Sequence, residues 1–236
     1  MKAFAILLLL AFCCSQAQAG LRYTMRVGVN AGGKRTYVVQ NSWLQDDKAR
    51  LAFDETEDNY EYEATGFGAA VYSIDPVTHR TTRIDISRHQ GPRDVVIENV
   101  STTKVLEEAG PTLLGHPTIH LRYTSKFDYT EHGFSEPAVM EHDIWIAKDL
   151  ADADMLKWMR FQAKLRDDVG IESLFREVSA MAGGLTLAYD GIARIRSLDG
   201  NMRVMRVEAN VESIESVNVD PSVFHATENT FEVTPK

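Results

Sequence analysis

The densest group of metal-binding and proton-transferring side chains in the chain is Glu141-His142-Asp143, with Glu131-His132 ten residues upstream. Neutral imidazole and carboxylate together suit zinc binding or general acid–base work. The surrounding residues argue against one shared site. Met140, Ile144 and Ile146 share a side with His142, and Trp145 falls on the other, which is the period of a β-strand, where neighbours point to opposite faces. The triplet therefore splits: His142 turns toward the apolar side while Glu141 and Asp143 turn away. His142 reads as a core histidine held by a hydrogen bond, with a polar contact inside a ligand cavity as the functional alternative. His116 and His120 would face one ion on a helix, but Pro117 and the alternating Ile119 and Leu121 spell a strand. On a strand the two histidines stand about 13 Å apart at ~3.3 Å per residue.

Other reactive patterns are weaker. The acidic run Asp54-Glu55-Thr56-Glu57-Asp58-Asn59-Tyr60-Glu61 lacks the glycine and spacing of a calcium loop and reads as a solvated segment. No His-Glu-x-x-His and no Gly-x-Ser-x-Gly elbow occurs, and Gly28, Gly32 and Gly33 fit neither a dinucleotide fingerprint nor a P-loop. No metal, no cofactor and no catalytic residue is expected. A hydrolase assembled from distant residues is the third-ranked function. What remains is an apolar set at helical spacing, Met155, Trp158, Met159, Phe175 and Met181, which is either packed core or the wall of an apolar cavity. With His142 and Ile144 from the strand, these make the candidate ligand-contacting residues.

Strands must position this set. Leu21, Tyr23, Met25, Val27 and Val29 alternate with polar residues, Ala31-Gly32-Gly33-Lys34 makes a turn, and Thr36 to Val39 begin the return. Further strands are predicted at 49–53, 69–74, 81–87, 95–100, 118–123 and 139–147, with a turn at Asp75-Pro76-Val77-Thr78 and a polar, mobile rim from Thr124 to Pro137. Helical periodicity begins after Lys148. A first stripe uses Met155, Trp158, Met159 and Ala163, and a second uses Ile171, Leu174, Phe175, Val178, Met181 and Ala182. Gly170 separates the helices and Gly183-Gly184 ends the second. Asp149, Asp152 and Asp154 complement the first helix's N-terminal dipole. Strands resume at 185–195 and 201–214 around an Asp199-Gly200 turn.

The start of the chain reads as an export signal: Lys2, an apolar stretch from Phe4 to Phe12, then Ala17-Gln18-Ala19 as a cleavage site. The stretch is too short for a membrane span, so no transmembrane segment is expected after cleavage. Cys13 and Cys14 would leave with it, which makes an anchored, lipid-modified form unlike this pattern, because Phe12 rather than a small residue precedes Cys13. Residues 20–236 then form one domain held by its core alone. With 34 acidic against 25 basic residues the formal net charge is -9, which disfavours nucleic acid. Arg194, Arg196, Arg203 and Arg206 have acidic neighbours and read as a solvated sheet face.

A series of landmarks in the second half carries a family resemblance. Leu114-Gly115-His116 precedes a strand ending at Tyr123, and Ile144-Trp145-Ile146-Ala147-Lys148-Asp149-Leu150 enters the helices. Gly184-Leu185 follows them, Val211-Glu212-Ser213-Ile214-Glu215 closes the sheet, and Val219-Asp220-Pro221-Ser222-Val223-Phe224 comes last. Over residues 112 to 224 the chain resembles a family of exported bacterial proteins with the lipoprotein-carrier-like half-barrel, relatives of the outer-membrane lipoprotein carrier superfamily. The resemblance implies an α+β fold, a curved antiparallel sheet forming an incomplete barrel over a two-helix insertion, whose concave face takes acyl chains or another apolar group. The expectation is thus an exported, periplasmic or secreted, non-enzymatic protein whose partner is a lipid-like small molecule. An envelope protein docking on a sheet edge or on the rim Thr124 to Pro137 is the alternative.

Overall fold

Gly32 and Gly33 both hold positive φ, 57° and 79°, so the backbone reverses at once and Ala31 pairs with Lys34. This joins β1 (Gly20–Ala31) to β2 (Lys34–Gln45), and an antiparallel meander continues through β3 (Lys48–Glu55), β4 (Asn59–Thr65), β5 (Ala70–Ile74) and β6 (Thr81–Ile84). A second meander holds β7 (Val95–Leu113), β8 (His116–Glu131) and β9 (Phe134–Ala147). After it come helices α1 (Ala153–Leu165) and α2 (Ile171–Met181), then β10 (Leu185–Arg196) and β11 (Met202–Val217). The computed structural model describes residues 20–55, 59–75, 77–78, 80–84, 95–131, 133–151, 153–165, 171–196, 200–224 and 230–231. Outside these lie residues 1–19 with both cysteines, the centre of the acidic run at 56–58, Pro76, 85–87 at the end of the strand expected over 81–87, His132, Asp152, Gly170 and Asp199.

The two meanders join where β11 pairs antiparallel with β1, from Gly20 opposite Val217 to Ala31 opposite Met205. The result is one open sheet in the order β12-β6-β5-β4-β3-β2-β1-β11-β10-β9-β8-β7, in which β12 (Thr230–Phe231) is a short parallel addition to β6. The expected α+β architecture, a curved antiparallel incomplete barrel with a two-helix insertion, is the one observed.

Strand alternation decides which face is inner. On β8 and β9 the opposed pairs Leu121–Ile144, Tyr123–His142, Ser125–Met140 and Phe127–Ala138 are directed inward, while Arg122, Lys126, Glu141 and Asp143 are directed outward. Two clusters fill the space under the helices. Leu174, Phe175 and Val178 of α2, with Ala182 just past its end, pack over Leu121, Ile144, Tyr189 and Val207, whereas Met155, Trp158 and Phe161 of α1 pack over Tyr23, Leu44, Leu51 and Phe53. Each such side chain, fully buried, contributes about 1.5–3 kcal/mol.

Two expected loops are strands instead. Thr124 to Pro137 belongs to β8 and β9 with only the tip near Gly133 outside them, and Ser125, Phe127 and Tyr129 of this stretch are buried. The acidic run is likewise divided between the end of β3 and the start of β4, where Asp54 pairs with Asn59 and Glu61 forms a 2.5 Å ion pair with Arg50. The strand expected over 95–100 extends through nineteen residues as β7. Among the described residues no helix is long and apolar enough to cross a membrane.

Candidate functional site

Beneath the helices the inner face carries two groups of polar side chains. The first runs across four neighbouring strands. His142 on β9 has no exposed surface; its Nδ1 lies 2.7 Å from the Tyr189 hydroxyl on β10 and its Nε2 lies 2.8 Å from Ser125 Oγ on β8. Ser125 Oγ is in turn 2.8 Å from Thr102 Oγ1 on β7. A neutral imidazole has one N–H and one lone pair, so this arrangement uses both ring nitrogens at once. Burial drives the His142 pKa down to about 4, and Asp143 on the outer face only partly opposes it. Burial also raises the Tyr189 hydroxyl well above the usual phenol range. Gly191 stands opposite His142 in the ladder, and a Cβ there would strike the Tyr189 hydroxyl and Met140 Cε, so the missing side chain makes room for the tyrosine to reach the ring.

The Ser125–His142 pair has the separation of a nucleophile and its base, but not their situation. Both residues are fully buried, and the second ring nitrogen meets a phenol rather than an orienting carboxylate. The row is a closed hydrogen-bond network that fixes β7 to β10 relative to one another.

The second group lies where α2 meets β1, β2 and β10. Gly183, with φ of 73°, ends the helix after Ala182 donates its N–H to the carbonyls of Val178 and Ser179. Gly184 then passes close to Ile146 and the Ala147 carbonyl, and Leu185 and Thr186 enter the sheet opposite Ala147 and Ile146. A register shift between Thr186 and Ala188 puts Thr186 and Tyr189 on the same inner face, although they are three residues apart. Between this corner and β1 is a half-open crevice of about 50 Å³. Its apolar wall is Tyr23, Met25, Met159, Phe175 and Leu185, and its polar lining is Gln40, Arg176, Ser179 and Thr186. Gln40 donates its amide to Ser42 Oγ at 2.9 Å. Ser179 and Thr186, 7% and 6% exposed, have hydroxyls with no hydrogen-bond partner among the described residues. A buried hydroxyl left so costs about 1–3 kcal/mol.

Of the residues singled out by sequence, Met159 and Phe175 line this crevice, and His142 and Ile144 lie deeper in the core behind Phe175, whose ring centroid is 4.3 Å from that of Tyr189. Met155 and Trp158 are packed into the α1 cluster, where the Trp158 indole N–H donates to the Asp46 carbonyl at 3.3 Å and its ring abuts Phe67 and Phe161. Met181 departs from the expected stripe: it is 55% exposed at the end of α2, on the flank turned away from the sheet. Ser179, Thr186, Gln40 and Arg176 were not singled out. Ser179 alone left a signal, a hydroxyl four residues after Phe175 on the border of an apolar stripe.

The outer face is charged and paired. His120 stacks on Trp145 at 4.7 Å and lies 3.0 Å from Glu108 and 2.6 Å from Asp143; burial raises the Asp143 pKa, but hydrogen bonds from Arg122 and His120 outweigh it and hold the carboxyl below its ordinary value. His116 meets Asp149 at 2.8 Å rather than His120. Arg194 and Arg206 pair with Glu141, Asp190 and Glu208 as expected of a solvated face. Arg203 departs from that expectation: it pairs in the ladder with the buried Ile195, lies over the core ring of Tyr129, and reaches Glu131 and the buried Glu136 at 2.7 Å each on the inner side of the sheet. A larger depression of about 510 Å³ on this face, between Lys126, Asp128, Arg194 and Arg196, is open to solvent over most of its extent and lacks the enclosing walls of a ligand site. Among the described residues no cluster of histidine and carboxylate has the makings of a metal site.

No protein-family model matches the chain, and no curated protein matches it. Solved structures do. An outer membrane lipoprotein-sorting protein domain from Vibrio parahaemolyticus aligns over 89% of this chain and 90% of its own, with 11% identity and a TM-score of 0.32. A DUF1329 family protein from Desulfovibrio piger aligns over 91% and 92%, with 12% identity and a TM-score of 0.33. PNGF-II aligns over 90% of this chain with 11% identity and a TM-score of 0.37, and the chain spans only 31% of that structure.

Proposed function

We propose that the chain is an exported, non-enzymatic protein of the cell envelope that holds a lipid-like or other apolar group between the inner sheet face and the helix pair. The observation that carries this is the half-open crevice at α2, whose wall of Tyr23, Met25, Met159, Phe175 and Leu185 meets water at its mouth. Two flexible thioethers in that wall suit a ligand of variable shape. The crevice of about 50 Å³ is far below the ~300–1,000 Å³ of a ligand pocket, so the described state is closed and loading requires a helix to move. The two helices differ in their attachment. α1 is pinned by Trp158 to the β2–β3 turn, and by Phe161 lying so close to Gly68 that no Cβ fits there. Among the described residues α2 meets the sheet through Leu174, Phe175 and Val178, with Ala182 just past its end, and it stops at the Gly183 turn, which makes it the part that swings.

The competing role, an interaction module, would use the nineteen-residue margin strand β7 with its exposed Val100 and Val105. Three register shifts and Pro111 interrupt that strand, devices that discourage another strand from adding to it. Organic extraction of the purified protein followed by mass spectrometry tests the binding role. It predicts a co-purifying amphipathic molecule in near-stoichiometric amount; a ligand-free protein that also takes up no apolar fluorophore would contradict it.

A further inference from the structure

Resting on that binding role, we propose that the ligand is a single-chain amphiphile with a carboxylate head, and that the head sits between α2 and the start of β10 on Ser179, Thr186 and Arg176. The first observation is the pair of hydroxyls. Ser179 Oγ and Thr186 Oγ1 come from different elements, are more than nine-tenths buried, line the same crevice and find no partner among the described residues. Buried polar groups are almost always matched, so two unmatched ones at one place mark where a ligand's polar atoms belong. The second observation is charge. In a chain of net charge -9, Arg176 is the one charged side chain among the described residues lining the crevice.

These groups select the head by their chemistry. Two hydroxyls and a guanidinium all donate, and an ionised carboxylate only accepts, through two oxygens with lone pairs for several donors. A neutral ester or alcohol can accept a hydrogen bond from the guanidinium but lacks the opposite charge, so it gains less. Met25, Met159 and Phe175 continue from the polar corner as an apolar track, and the chain lies along it once α2 moves outward.

Displacement of a bound apolar fluorophore from the full protein by hexadecanoate, its methyl ester and hexadecanol tests this. Hexadecanoate should bind about tenfold more tightly than the ester, a difference of one charge-assisted contact. Arg176→Met should erase the preference by lowering the affinity for hexadecanoate about tenfold more than that for the ester. The double variant Ser179→Ala, Thr186→Val should weaken hexadecanoate about tenfold, yet raise the melting temperature of the unliganded protein by about 4–8 °C, because two unmatched hydroxyls are removed. Equal affinities for hexadecanoate and the ester, a preference that survives Arg176→Met, or a double variant that melts lower would overturn the head-group assignment and leave the apolar site standing. Failure of all three compounds to displace the fluorophore would overturn both.

Discussion

The row Tyr189, His142, Ser125, Thr102 lies on the inner sheet face, and the crevice pair faces it across the interior, Ser179 from α2 and Thr186 from the start of β10; both groups are made of buried or half-buried hydroxyl and imidazole side chains. In the row each ring nitrogen and hydroxyl meets another at 2.7–2.8 Å; in the crevice the two hydroxyls meet nothing among the described residues. The row is sealed by Phe175 and closed on itself, so it specifies the packing of four strands. The crevice is half open to water and incomplete, so it has donors to spare for a molecule that enters. Burial alone does not separate a structural polar group from a functional one; the state of its hydrogen bonds does.

The contrast can be broken most forcefully at its closed end. His142→Ala should cost about 4 kcal/mol in urea unfolding, since it opens a cavity and strands both Tyr189 and Ser125 hydroxyls. A loss below about 1 kcal/mol would mean the row is not a structural unit. Acid should act through the same residue. Its folded pKa of about 4 lies below the ordinary 6.5, so the unfolded chain takes up the proton first as pH falls. Stability present above pH 6.5 should therefore fade between pH 6.5 and 4 by on the order of 3 kcal/mol, a slope that His142→Gln should flatten. Gly191→Ala should cost about 2 kcal/mol by driving the Tyr189 hydroxyl off the imidazole, readable in the tyrosine near-ultraviolet spectrum. At the open end the sign reverses: Thr186→Val should stabilise the unliganded protein by about 1 kcal/mol in the same urea titration.

The sheet and the direction of His142 were legible in the sequence because a strand's period of two fixes the face of every residue once its neighbours are apolar. The Gly32-Gly33 turn and the helix-ending Gly183-Gly184 were legible for a similar reason, since few residues tolerate positive φ. Ser125, Phe127 and Tyr129 were hidden inside a stretch rich in charge and hydroxyls that reads as a loop, though it alternates correctly for a strand. Thr186 was hidden by the register shift after it, which reverses the inside–outside order and has no composition of its own. Ser179 and Met181 occupy opposite flanks of one helical stripe. Periodicity defines the stripe but not which flank tips toward the sheet, and here the serine flank does.

The claim at the centre is that α2 opens over the crevice to admit an apolar ligand and closes on it. Amide hydrogen exchange of the full protein, with and without saturating hexadecanoate or hexadecanol, addresses that directly. The account predicts slowed exchange in Leu174–Ala182 and Leu185–Thr186, with β8 and β9 around Ser125 and His142 unchanged; protection spread evenly over the sheet, or none at α2, would contradict it.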